Sequence, residues 1–191
     1  MKIKTSSGFT ILELVSILAI IGVLIGLAAP SFINATNRSM VMDATRGFEG
    51  ALKAAKHAAR TSGRDISICP VENIGVQVPT CNNWDAFSSD DQEDSLGWVV
   101  FRDANGNDQI DANETIKKVP FDKSKVRVMW NNDNIITITP RSGANGDGGT
   151  LCVFIPGKTT LSECKSDEAM PEELVGAKVV LSSLGSIRTE K

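Results

Sequence analysis

The first residue of chemical interest is a carboxylate in an unusual place. Glu13 is the only charge in a run from Phe9 to Ala29 that is otherwise almost wholly apolar. A carboxylate deep in a bilayer costs on the order of 2.5–3.5 kcal/mol on insertion scales, which makes such a group a functional candidate. It is tolerated far better if a packed neighbour supplies a cation. A second set is Asp103, Asn105, Asn107, Asp111 and Glu114, which occupy places 1, 3, 5, 9 and 12 of a calcium-loop frame, with Ile110 in the eighth. Glycine, however, falls at the fourth place rather than the sixth, where the sharp bend belongs. A hairpin turn rich in Asn, Gly and Asp explains the same letters, so no metal site is expected. The single histidine, His57, sits between Lys56 and Arg60 beside an apolar stripe and reads as structural. Serines and carboxylates are plentiful, but without a second base nothing marks a nucleophile. The chain therefore reads as a protein that is not an enzyme and needs no cofactor.

These residues must be placed by a small number of elements. A spanning helix needs roughly 20 apolar residues, and Phe9–Ala29 meets that length behind a short leader carrying Lys2 and Lys4. Pro30 is expected to kink the helix rather than end it. From Ile33 onward, Val41, Ala44, Phe48, Ala51, Leu52, Ala55, Ala58 and Ala59 recur at helical spacing, with Arg46, Glu49, Lys53, Lys56 and Arg60 down the opposite side. This is an amphipathic helix with one face for a core, stopping near Ser62-Gly63. One helix of about 50 residues thus serves as anchor, stalk and core spine.

The remainder reads as antiparallel strands separated by Asn- and Asp-rich turns. They fall at Asp65–Cys69, Gly97–Asp103, Glu114–Phe121, Lys125–Trp130, Asn134–Pro140 and Thr150–Pro156, and a last stretch, Lys178–Arg188, closes the sheet. The glycine-rich Arg141–Gly149 lacks a Lys-Ser/Thr ending and a following helix, so it is not a phosphate-binding loop.

Net charge is −3, which gives no global argument for nucleic acid. The charge is uneven: Arg38, Arg46, Lys53, Lys56, Arg60 and Arg64 face only Asp43 and Glu49, while nine acidic residues from Asp85 to Glu114 face Arg102 alone. If the domain behind the spanning helix lies in an oxidising compartment, the four cysteines Cys69, Cys81, Cys152 and Cys164 point to disulfides. Three pairings are possible. Equal spans favour Cys69–Cys81 and Cys152–Cys164, each a local clip worth roughly 3 kcal/mol. A zinc site would want close Cys pairs, which are absent.

The basic leader, the Gly8-Phe9 junction and Glu13 in the fifth place after it resemble the class III leader of type IV pilins and pseudopilins. That resemblance implies cleavage after Gly8 by a prepilin peptidase and N-methylation of Phe9. It also implies that Glu13 pairs with the Phe9 amine of a neighbouring subunit during assembly. An ordinary secretory signal cut after Ala29, or a generic single-pass anchor, are the rival readings of the same run.

Further along, Trp84, the strand Gly97–Asp103, Asn105–Asn107, Asp111 with Glu114, and Gly185–Arg188 resemble the GspH/FimT/FimU family of minor pilins and pseudopilins. The resemblance implies an α+β, type IV pilin-like fold, with one long N-terminal helix packed on antiparallel β-sheets. The domains it implies are a leader (1–8), a transmembrane and assembly helix (9–29), an amphipathic helix (30–62) and a β-rich domain (63–191). It implies a minor type IV pilin that primes or caps pilus assembly for twitching motility, adhesion or DNA uptake. The alternative is a GspH-type pseudopilin of a type II secretion system. Expected partners are other minor pilins, the major pilin and the inner-membrane assembly platform. The expected location is the bacterial inner membrane, single-pass with a periplasmic domain, and then the pilus. Some FimT proteins bind DNA through a Gly-Arg-x-Arg tail. Here Ser186 stands where the first arginine would be and only Arg188 remains, so DNA binding is a weaker expectation.

Overall fold

A computed structural model describes residues 9–82, 96–121, 126–132, 135–141, 143–144, 148–155 and 176–190. One helix, α1, runs over Ile11–Ser62. It is followed by strands β1 (Ile66–Val71), β2 (Leu96–Phe101), β3 (Thr115–Phe121), β4 (Arg127–Trp130), β5 (Ile136–Ile138), β6 (Gly149–Phe154), β7 (Gly176–Leu181) and β8 (Ile187–Glu190). Contacts divide the chain into two units, one ending at Thr36 and one beginning at Asn37.

The limits of α1 follow from local chemistry. Thr10 caps its start, its hydroxyl accepting the Glu13 N–H at 3.3 Å. The helix continues through Pro30, as expected. It stops where Gly63 donates its N–H to Ala59 C=O at 2.9 Å, the usual left-handed glycine stop.

Every strand pairing in the two sheets is antiparallel. Sheet A has the order β3-β2-β1-β5 and sheet B the order β4-β6-β7-β8. The expected helix on antiparallel sheets is therefore what the chain forms. The buried stripe of α1 begins at Val41 and continues through Ala44, Phe48, Ala51, Leu52, Ala55 and Ala59. Ile33, read as the start of that stripe, is exposed instead.

The stripe packs on the inner faces of both sheets, against Ile66, Ile68, Trp98 and Ile136 of sheet A and Val128, Trp130, Leu151 and Val179 of sheet B. Phe48 joins the two. Its ring lies 5.2 Å from that of Trp98, edge-on, and 5.9 Å from that of Trp130. Alanine at four of the stripe positions lets the strands approach the helix closely.

The strand expected at Asp65–Cys69 forms as β1, and although its residues alternate between polar and apolar, all six residues of β1 are buried. Ile66 and Ile68 face the helix, while Cys69 and Val71 lie under a second apolar cluster with Ile74, Val99, Phe101 and Ile110. The loops after β1 and β2 supply Ile74 and Ile110, so the outer face of sheet A is roofed rather than solvated. One strand reading needs correction: Lys178–Arg188 is a hairpin and not one strand. Gly185 takes φ +75° and its N–H closes a turn on Ser182 C=O at 2.7 Å, so the chain folds back as β8.

Candidate functional site

The N-terminal half of α1 carries the most conspicuous surface. Every large apolar side chain from Phe9 to Ile33 is 43–85 % exposed. This is the one helix among the described residues that is long and apolar enough to cross a membrane. From Ile11 to Ala29 it rises roughly 28 Å, close to the thickness of a bilayer's hydrocarbon core. Glu13 lies in the first turn, where a carboxylate also complements the helix dipole. Thr10-x-x-Glu13 has the spacing of a capping box, a signal that reading Glu13 as a lone charge overlooked. Gly8 lies outside the described residues. Phe9, just before the helix, is 74 % exposed.

The first cysteine pair is joined. Cys69 and Cys81 form a disulfide with Cα atoms 5.6 Å apart. The clip folds the post-β1 loop back along β1: Cys81 bridges to Val71, and Asn82 N–H donates to Pro70 C=O at 2.8 Å. Pro70 can sit in this strand because β5 pairs only as far as Ile68 on that side. Lys118 pins the same loop, its ammonium donating to Ile74 C=O at 3.1 Å and to Val76 C=O. Cys152 is disulfide-bonded as well, whereas Cys164 lies outside the described residues, as do Trp84 and the acidic run from Asp85 to Asp94.

The Asp103–Glu114 loop folds on its own polar groups. The Asp103 carboxylate accepts N–H bonds from Gly106 (2.7 Å), Asn107 (3.2 Å) and Asp108 (2.9 Å). Asp111 accepts the side-chain amides of Asn105 (2.8 Å) and Asn107 (3.1 Å). Glu114, only 8 % exposed, accepts the N–H groups of Ala104 (2.9 Å) and Asp111 (3.0 Å). Ile110 inserts into the apolar roof of sheet A. Among the described residues no group of three or more His, Cys, Asp or Glu is arranged to hold a metal ion. The carboxylates here act as the internal fastening of a turn, with Ile110 as its plug.

α1 also meets β8. Lys53, Lys56, His57, Arg60, Thr61 and Ile187 line a cleft of about 540 Å³. Lys56 reaches across to donate to Gly185 C=O at 2.6 Å. About two turns earlier, Thr189 donates its hydroxyl to the Glu49 carboxylate, which also holds Lys53 at 3.1 Å. The Thr189 hydrogen bond is the main reason Glu49 titrates below the ordinary carboxylate value, against an opposing effect of burial and with help from Lys53 and Arg46. These helix-to-strand links had no local signature, since their partners are more than a hundred residues apart. His57 is exposed in the cleft wall rather than packed in the core. Arg188 is 74 % exposed on β8 and forms an ion pair with Glu190, two residues on.

A family model described as type II transport protein GspH matches residues 44–183. The chain belongs to the GspH family. The GspH match opens in the buried stripe of α1 and closes in the β7–β8 turn. It thus spans the helix–sheet core, the Cys69–Cys81 clip and the Asp103–Glu114 turn, while Glu13 and Arg188 fall outside it. Neither a curated protein nor a solved structure matches the chain. GspH membership makes this a pilin-like protein, with the long helix and antiparallel sheets described above.

Proposed function

We propose that this chain is a minor type IV pilin of the FimU/FimT kind, a structural subunit without catalytic activity that primes or caps a filament. The observation that carries the reading is the division of α1. From Val41 onward it buries its apolar face in its own domain, while Phe9 to Ile33 leaves an apolar surface with one carboxylate uncovered. A membrane covers such a surface before assembly, and the helices of other subunits cover it afterwards. On this reading a prepilin peptidase cuts after Gly8, and Phe9 becomes the N-methylated N-terminus. Glu13 then pairs with the Phe9 amine of a neighbour, so that a buried carboxylate meets a cation. The partners are other minor pilins, the major pilin and the inner-membrane assembly platform.

The second reading is a pseudopilin of a type II secretion system, and the description of the matched family favours it. Disulfide clips favour the pilin, because a surface fibre must withstand shear outside the cell. DNA binding through Arg188 has less support, since Glu190 already engages that guanidinium. The deciding experiment compares pili sheared from a strain lacking this gene with those from the complemented strain. Loss of sheared pilin, restored by the gene, supports the pilin. Intact pili with proteins missing from the culture medium support the secretion filament.

A further inference from the structure

We propose that the outer edge of β8, unpaired among the described residues, and the basic cleft beside it form a docking site for an extended, Asp/Glu-bearing segment of a neighbouring subunit, which adds a strand to sheet B. The inference rests on the filament reading above, because that reading supplies the neighbour.

The backbone argument comes first. β8 is an outer strand of sheet B. Ser182 N–H donates to Ser186 C=O at 2.9 Å, which sets the hydrogen-bonding phase of the β7–β8 ladder. Bonded and non-bonded pairs alternate in an antiparallel ladder. Arg188 and Glu190, opposite Val180 and Lys178, therefore bond inward to β7. Ile187 and Thr189 turn their N–H and C=O groups outward, and these have no backbone partner among the described residues. Such an edge is a template for another strand.

Charge then selects the strand. Lys53, Lys56, His57 and Arg60 wall the cleft, whose floor includes Ile187. Lys56 is hydrogen-bonded to a neutral carbonyl, and no carboxylate pairs with it among the described residues. The one carboxylate on this side of α1, Glu49, is already held by Thr189 and Lys53. An incoming strand would place alternate side chains in the cleft, where carboxylates meet ammonium and guanidinium groups over an apolar floor. A phosphate of a nucleic acid or lipid would satisfy the cations and could accept from an outward N–H, but it offers no donors at strand spacing for the outward C=O groups. A second copy of this chain would offer suitable chemistry, since five residues from Asp85 to Asp94 are acidic.

The test is photocrosslinking in piliated cells with the full chain, using benzoylphenylalanine in place of His57, and separately in place of Leu14 as a control on the assembly helix. We expect the residue-57 probe to form an adduct with another subunit, mapped by mass spectrometry to an Asp/Glu-rich segment. Arg60→Glu should lower that yield at least about tenfold, because like charges then meet. Ile187→Pro, which deletes an outward N–H, should do the same, while Arg60→Glu guards against a folding defect in the proline variant. An adduct with nucleic acid, lipid or a segment lacking carboxylates would overturn the inference, as would a yield that neither variant changes. A residue-14 adduct without a residue-57 adduct would sink the docking site and leave the filament reading standing. Absence of both adducts would sink both.

Discussion

Replacing Phe48 by alanine should unfasten the helix from both sheets at once. The ring is fully buried and contacts Trp98 on one sheet and Trp130 on the other. Phe→Ala in a core costs roughly 3–5 kcal/mol from lost transfer and cavity terms together. The loss of two aromatic contacts places this site toward the upper half of that range, about 4 kcal/mol. Unfolding of the full chain in detergent can be followed through indole fluorescence, to which the core residues Trp98 and Trp130 contribute together with Trp84. With a guanidinium slope of roughly 4 kcal/mol/M, the midpoint should fall by about 1 M. Leu14→Ala is the comparison. Leu14 is 55 % exposed on the same helix, so the domain's midpoint should move by less than about 0.2 M. A Phe48→Ala shift as small as that of Leu14→Ala would refute the packing argument, because it would mean that the stripe of α1 is not the core of the domain.

Three further outcomes follow from the geometry. Removing the Cys69–Cys81 clip with paired serines should cost about 3 kcal/mol in the same unfolding assay, the loop-closure value for a separation of 12 residues; an unchanged midpoint would contradict it, and peptide mapping should also recover a Cys152–Cys164 peptide. Glu49 is held ionised below the ordinary value of 4.5, so the folded chain binds fewer protons than the unfolded one in that range. Its contribution is complete above 4.5 and lost as pH falls through the lower folded value. The midpoint difference between wild type and Glu49→Gln should therefore shrink as the solution is acidified, and a difference independent of pH would exclude the Thr189 link as its source. A charged residue in place of Gly8 should leave the leader attached in intact-mass measurements, and normal trimming would contradict the class III leader.

Legibility differed from element to element for physical reasons. The stripe from Val41 to Ala59 could be read because a helix repeats its buried face every three to four residues. The Cys69–Cys81 pairing was one of three possible and was favoured by the equal spans of the two local clips. The burial of both faces of β1 was not legible, because its outer roof is assembled from Ile74, three residues beyond the strand, and Ile110, in the loop after β2. The turn at Ser182–Gly185 was hidden inside an otherwise strand-like stretch, although its Ser and Gly residues are turn formers. The Asp103–Glu114 letters favoured a turn over a calcium loop because Gly106 stands at the fourth place rather than the sixth; only the hydrogen bonds to Asp103 and Glu114 show how that turn is fastened. The link between Glu49 and Thr189 joins residues 140 positions apart, and no local pattern encodes such a contact.

Glu13→Val tests the central claim most directly. The variant is expressed in the strain lacking the native gene, and its amount is measured in the membrane and in the sheared filament fraction. If the exposed half of α1 is an assembly surface on which Glu13 meets a neighbour's amine, the protein should reach the membrane at the normal level and filaments should be depleted. Normal filaments containing the Glu13→Val subunit would contradict that account.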